Sequence, residues 1–331
     1  MNKGDIAREA REKYGWEMPT LKLARIVYAE NKLMFANVED ARKVLRGIEG
    51  KNAGNTRGNW YRKTAPQEYQ DNHRPRNPYK LPESSETSYE PYVVPGKRIL
   101  VLSDVHIPYH SIEALTAALD FANKEPIDTI VLNGDTLDFH GLSRFMKDPK
   151  ARSVAHELAA FKDFMTALRS LFPKAFIIYK MGNHCERYDH FLIQKAHEII
   201  GVDEFDFRNI IKARADGIEV VGDKRILKLG ALNLVHGHEF GGSIFSPVNI
   251  ARGLFLRGKV SAMQGHNHQT SEHTESNMNG EITTTYSVGC LCELHPAYLP
   301  INKWNHGFAI VEVDGQAFHV RNYRIHKGEV L

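Results

Sequence analysis

Arg98-Ile-Leu-Val-Leu-Ser-Asp104-Val-His106 is an aliphatic run that ends in a carboxylate and an imidazole, and Pro108 breaks it shortly after. A continuous apolar run of this kind reads as a buried, parallel strand, which places Asp104 and His106 at its carboxyl end. In open α/β sheets, ligands bind at such ends. Two residues apart, a carboxylate and an imidazole can face the same way and chelate one metal ion. Alone, Asp-x-His matches by chance, but four further stretches repeat the arrangement.

Strands expected at 128–132, 175–181, 231–235 and 259–264 run into Gly134-Asp135, Gly182-Asn183-His184, His236 and Gly265-His266-Asn267-His268. Spacing predicts helices over 111–123, 152–171, 189–200 and 247–257. Further strands are expected at 98–102, 218–221, 225–229, 281–287, 307–313 and 317–324. From residue 97 onward this is an α/β body with strands on both sides of a central site and no internal repeat. Five strand-end loops thus carry Asp104/His106, Asp135/Asp138, Asn183/His184, His236/His238 and His266/His268. Asp104, His106, Asp135, Asn183, His236, His266 and His268 supply mixed oxygen and nitrogen donors, enough for two transition-metal ions sharing one carboxylate. Such donors favour manganese, iron, zinc or nickel over calcium or magnesium.

In this order, Asp-x-His, Gly-Asp-x-x-Asp, Gly-Asn-His, His-Gly-His and Gly-His-x-His resemble the calcineurin-like metallophosphoesterase superfamily, over residues 97 to about 325. Gly134-Asp-Thr-Leu-Asp-Phe139, Ser143-Arg-Phe-Met-Lys-Asp-Pro149 and Ser287-Val-Gly-Cys-Leu-Cys292 are similar to bacteriophage-encoded members, which often carry a small basic helical N-terminal module. The resemblance implies a four-layer α/β fold, a central β-sandwich of two mixed sheets flanked by helices. It implies two divalent ions, manganese foremost: one on Asp104, His106 and His268, the other on Asn183, His236 and His266, with Asp135 bridging. It implies His184 as general acid at the leaving-group oxygen, Asp138 orienting its ring, and His238 as a supporting or substrate contact. Two metals about 3.5–4 Å apart can hold a bridging hydroxide near neutral pH and stabilise both oxygens of an in-line displacement at phosphorus. Asn183 adds a neutral oxygen, which limits negative charge facing a phosphate.

The chain departs from the family's protein phosphatases. Phe139 stands where they have Arg, and Cys185, followed by Glu186 and Arg187, replaces the acidic residue after Gly-Asn-His. A protein-phosphatase reading is weakened accordingly. Arg144, Arg187, Arg252 and Arg257 are candidate phosphate binders. Cys185 reads as a packing residue, with an oxidisable thiol or soft ligand as alternatives. Cys290-x-Cys292 lacks the second cysteine pair of a zinc site.

At 331 residues, 42% of them hydrophobic, the chain has material for a large core and an appendage. No apolar run approaches the roughly 20 residues needed to span a bilayer, there is no signal-peptide core, and three cysteines make no disulfide framework. A cytoplasmic protein without membrane contact is expected, in the host cytoplasm if phage-encoded. Residues 1–80 hold 17 Lys and Arg against 10 Asp and Glu, a net of +7, and the remainder carries −4. A basic end on an acidic body suits a polyanionic partner, although a solvated charged face looks the same.

Residues 1–50 read as a module of three short helices. Ile6, Ala7 and Ala10 face inward on the first, and Leu21, Leu23, Ala24 and Val27 on the second, which opens at Pro19. Asn37 caps the third, with Asp40 at the capping-box position and Ala41, Val44 and Leu45 beneath. With Arg25, Arg42, Lys43 and Arg46 outside, the module resembles a helix-turn-helix or, alternatively, a protein-contact appendage. Residues 51–96, rich in Pro and Gly, read as a linker before the catalytic domain of 97–331. There Arg57, Arg62, Lys63, Arg74, Arg76 and Lys80 alternate with Trp60, Tyr61, Tyr69 and Tyr79, a composition suited to a nucleic-acid backbone and stacked bases. The leading expectation is a phosphodiesterase acting on DNA or RNA. The alternatives are a phosphatase or diesterase for nucleotides, cyclic nucleotides or phosphoproteins, and a non-enzymatic nucleic-acid-binding scaffold.

Overall fold

The computed structural model describes residues 2–16, 18–49, 82, 89–143, 153–222, 224–241 and 248–331. The chain divides into two compact units, Met1–Glu86 and Thr87–Leu331.

In the first unit, α1 (Lys3–Tyr14), α2 (Thr20–Glu30) and α3 (Val38–Ile48) share a core of Ile6, Ala7, Ala10, Leu23, Ala24, Val27, Phe35, Ala41, Leu45 and Ile48. Leu21 departs from the expected pattern and is exposed. Asn37 caps α3 by accepting from the Asp40 amide, but the Asp40 carboxylate turns to the Ala36 amide and the Lys3 ammonium. The complete capping box is instead at α1, between Asn2 and Asp5. The sequence reading missed a buried ion pair: Arg11 lies in the core, with its guanidinium on Glu49 and the carbonyls of Gly15 and Met18.

The second unit is built on two sheets. The larger runs β13 (Glu329–Val330), β12 (Ala317–His326), β11 (His306–Asp314), β2 (Arg98–Leu102), β3 (Thr129–Asn133), β4 (Phe176–Lys180), β5 (Ile218–Val221), and β2 to β5 are parallel. The smaller runs β1 (Tyr92–Val93), β6 (Leu227–Leu229), β7 (Leu232–Leu234), β8 (Ala262–Gln264), β10 (Ile282–Ser287), β9 (Ser271–Ser276). Part of the stretch read as linker is therefore body structure, since Tyr92–Val93 pairs in parallel with β6. Residues 51–81 and 83–88 of that stretch, with all of its named basic and aromatic residues, lie outside the described residues.

Side-chain alternation sorts the layers. Ile99, Val101, Val131 and Ile178 point between the sheets and meet Leu227, Leu229, Leu232, Leu234 and Met263. Their neighbours Leu100, Leu102, Ile130, Leu132 and Ile177 point the other way, onto α4 (Ile112–Ala122) and α5 (Val154–Leu171). On the far side, α8 (Ile250–Gly258) covers the smaller sheet through Leu254 against Val235 and Ala262. The helix–sheet–sheet–helix order is the expected four-layer sandwich. α6 (Glu186–Lys195) and the short α7 (Phe207–Ile210) complete the described helices. Boundaries differ from expectation at the ends: the helix expected at 189–200 begins at Glu186 and gives way to a 3-10 turn at His197–Ile199.

Candidate metal centre

Each of the five expected loops does follow a strand: β2, β3, β4, β7 and β8 end just before Asp104, Asp135, Asn183, His236 and His266. Backbone hydrogen bonds tie the loops together. His106 N–H donates to the Asp135 carbonyl at 2.8 Å and Gly265 N–H to the His236 carbonyl at 2.9 Å. His266 N–H donates to Asp104 Oδ2 and His184 N–H to Asp135 Oδ1, each at 2.9 Å. Asp104, His106, Asp135, His266 and His268 all adopt left-handed backbone, with φ between 47° and 64°. For non-glycine residues each such conformation costs about 1 kcal/mol or more, and such strain gathers at functional sites. Gly182 and Gly265 leave room where a Cβ would strike the Asp135 and Asp104 carboxylates.

Outer acceptors decide which way the rings face. His106 Nδ1 lies 2.8 Å from Asp138 Oδ1, and His236 Nδ1 lies 2.9 Å from the Asn133 carbonyl. Each Nδ1 therefore carries a proton and each Nε2 points inward. His106 Nε2 faces His268 Nε2 at 3.3 Å. Asp104 Oδ1 is buried without a hydrogen-bond partner, 3.2 Å from His268 Nε2. Asp135 Oδ2 is 3.2 Å from His236 Nε2, which also meets Asn183 Oδ1 at 3.2 Å. Electron pairs converge here without matching donors, an arrangement that protons or cations must stabilise.

The titration behaviour follows from that. Burial pushes the Asp104 carboxyl up, but the His268 and His236 charges outweigh it and hold it well below the usual range. Burial lowers His236 and His268, yet Asp135 acting on His236 raises it to about 9, and Asp104 acting on His268 raises it to about 10. Burial and the His236 charge push His266 down to about 4. Without metal, protons on two imidazoles offset the carboxylates. His106, Asp135 and His184 form one group with metal-ligand spacing, and Asp135, His236 and His266 another, their ligand atoms within 4.8 Å of one another. A third group, His106, His268 and Cys292, brings in a thiol that the sequence reading had set aside.

Asp138 Oδ1 also accepts from His184 Nδ1 at 2.9 Å, so one carboxylate oxygen fixes two imidazoles. Arg187 donates to the Asp138 carbonyl at 2.8 Å and sits 2.9 Å from His184 Nε2. Among the candidate arginines, it is the one that the described residues place at the cluster. Arg252 is exposed on α8, and Arg257 donates to the Gly241 carbonyl. Arg144 lies outside the described residues. His238 stands one layer back, its Nε2 3.0 Å from Glu186 Oε1. Cys185 is buried against Tyr179, and burial pushes its thiol up to about 12, which suits packing rather than reactivity.

Three supporting residues escaped the sequence reading. Lys180, fully buried at the end of β4, pairs with Glu239 at 2.8 Å, and Glu239 accepts from the amides of His236 and Gly237. Glu157 of α5 accepts from the Phe139 amide beside Asp138. A lysine closing an apolar strand is a recognisable signal; Glu157, on an amphipathic helix, gives none.

Residues 97–282, more than half of the chain, match the calcineurin-like phosphoesterase family model, and the chain belongs to that family. It is a phosphate-ester hydrolase of a class that works with divalent metal ions. It is 28% identical over 238 residues to the Gene 54 protein of Mycobacterium phage L5, covering 68% of this chain and 92% of that protein. The Gene 54 protein of Mycobacterium phage D29 is 27% identical over the same length. Among solved structures, an Entamoeba histolytica Vps29 complexed with zinc overlaps with a TM-score of 0.37 at 14% identity, covering 71% of this chain and 96% of that one. A dimetal phosphatase from Danio rerio gives 0.36 at 13% identity, covering 71% and 98%. No helix among the described residues is long and apolar enough to cross a membrane.

Two outcomes are expected. Glu239→Gln strands the Lys180 charge in the interior and should cost about 3–5 kcal/mol in urea denaturation, with Mn²⁺ affinity falling about tenfold or more. Unchanged stability and affinity would contradict the assigned support. Burial, helped by the Asp138 charge, pushes Glu157 up from 4.5 to about 7. Its folded-state pKa is the higher one, so its contribution to stability is present below pH 4.5 and lost as pH rises through about 7. In chelator-treated protein, Glu157→Gln should match wild type near pH 4 and exceed it at pH 8 by up to about 3 kcal/mol. An offset independent of pH would refute this.

Proposed function

We propose that the chain is a two-metal phosphodiesterase acting on nucleic acid. One observation carries the two-metal reading: Asp135 has metal-ligand spacing both to His106, on one side, and to His236 and His266, on the other, as a bridging carboxylate must. Asp104, His106 and His268 would hold one ion, and Asn183, His236 and His266 the other. The inward Nε2 atoms and the unpartnered Asp104 Oδ1 fit divalent cations, with manganese, iron, zinc and nickel all compatible. Ions bound there supply Lewis-acid charge and lower the pKa of water.

The chain's own residues orient the reaction. Asp138 holds Nδ1–H of His184, so Nε2 is the nitrogen available to serve a leaving oxygen as general acid. In the resting arrangement Arg187 occupies that nitrogen, and burial keeps His184 below its ordinary pKa. An entering phosphate would draw the guanidinium onto a non-bridging oxygen. That frees Nε2 to take up a proton and deliver it to the departing alkoxide. Loss of the proton by His184 then returns it to the neutral tautomer that Asp138 favours.

The nucleic-acid assignment is supported by the net charge of +7 in residues 1–80 and by exposed Lys22, Arg25, Lys32 and Lys43 in the first unit. With Mn²⁺, the protein should hydrolyse bis(p-nitrophenyl) phosphate in preference to the monoester, and Asp135→Asn should lower the rate about a hundredfold or more. Removing residues 1–86 should spare that hydrolysis while weakening DNA binding, most steeply at low salt. A monoester preference would refute the diesterase reading, and undiminished DNA affinity after truncation the nucleic-acid role of the first unit.

A further inference from the structure

A cavity of about 470 Å³ opens beside the metal cluster, with His106 and Asp138 in the wall they share. The rest of its lining is strongly aromatic. Trp304 meets the His268 ring edge-on, centroids 4.1 Å apart, and Tyr298 stands 6.4 Å beyond it. Tyr109 and His140, also in the lining, form another edge-on pair at 6.4 Å. Tyr298 is 71% exposed, so its ring is accessible to a ligand. Among the described lining residues there is no lysine or arginine, and Glu293 adds a carboxylate to that of Asp138. Such walls repel a phosphate and suit a planar, uncharged group rich in N–H donors.

We propose that this cavity is a base subsite, which receives a nucleobase while its phosphate lies on the metal cluster. The inference rests on the phosphoesterase reading and names the substrate class. Aromatic edges and faces accept any base by stacking, and a carboxylate at the wall pairs with the amino and imino N–H groups that bases present. The subsite thereby selects nucleotide esters over simple sugar or alkyl phosphates.

Isothermal titration calorimetry on the Mn²⁺-loaded full chain tests this with 2′-deoxyadenosine 5′-monophosphate, its 3′ isomer and 2-deoxyribose 5-phosphate. One of the nucleotides should bind about tenfold or more tighter than the sugar phosphate, the size of one stacking contact. In Tyr298→Ala that ratio should shrink to within about threefold, because a stacking face is gone. Equal binding of all three ligands by the unaltered protein would overturn the proposal, as would O-phosphotyrosine binding tighter than either nucleotide. A failure to hydrolyse diesters would refute the phosphodiesterase reading but leave this binding result standing, so the two claims fail separately.

Discussion

The catalytic body depends on a repulsion that it builds and then confines. Asp104 and Asp135 are buried carboxylates, and around them the imidazoles of His106 and His236 are turned so that their Nε2 atoms face inward. The outward Nδ1–H bonds to Asp138 and to the Asn133 carbonyl enforce that orientation. Left alone, the cluster is unfavourable, and protons on His236 and His268 relieve it only in part. The clustered donors have the spacing to take divalent cations, which would supply the missing positive charge.

That readiness has a backbone cost, which the sheets bear. Left-handed conformations at Asp104, His106, Asp135, His266 and His268 persist because the strands before them are clamped on both faces, by the inter-sheet core on one side and on the other by α4 and α5 over the larger sheet or α8 over the smaller. Lys180 and Glu239 extend the same logic to the His236 loop, where a buried ion pair fixes two amides. Asp138 is the junction between support and chemistry. Its Oδ1 fixes both His106 and His184 through Nδ1, and Arg187 rests on Nε2 of the latter.

Much of this was legible in the residues, for physical reasons. Parallel strands buried on both faces read as continuous apolar runs, so the loops at their carboxyl ends could be located, and their short motifs carried the donor types. Other features carry no such signal. β9 is polar at nearly every position because it edges its sheet, and β1 pairs through only two residues, so neither has a period to find. Asp40 carries the capping-box pattern of Asn37, but the Lys3 ammonium from another helix outcompetes the local bond. Arg252 looked as good a phosphate ligand as Arg187; only the fold separates them, one exposed on α8 and the other beside His184. Cys292 enters through a long excursion between strands that no local pattern anticipates.

The cluster is proposed to take two ions that share Asp135. Electron paramagnetic resonance during Mn²⁺ titration of chelator-treated protein tests it most directly. Two Mn²⁺ should bind per chain with the spectrum of an exchange-coupled pair, replaced in Asp135→Asn by uncoupled ions or weaker occupancy. A single uncoupled Mn²⁺ at saturation in the unaltered protein would contradict it.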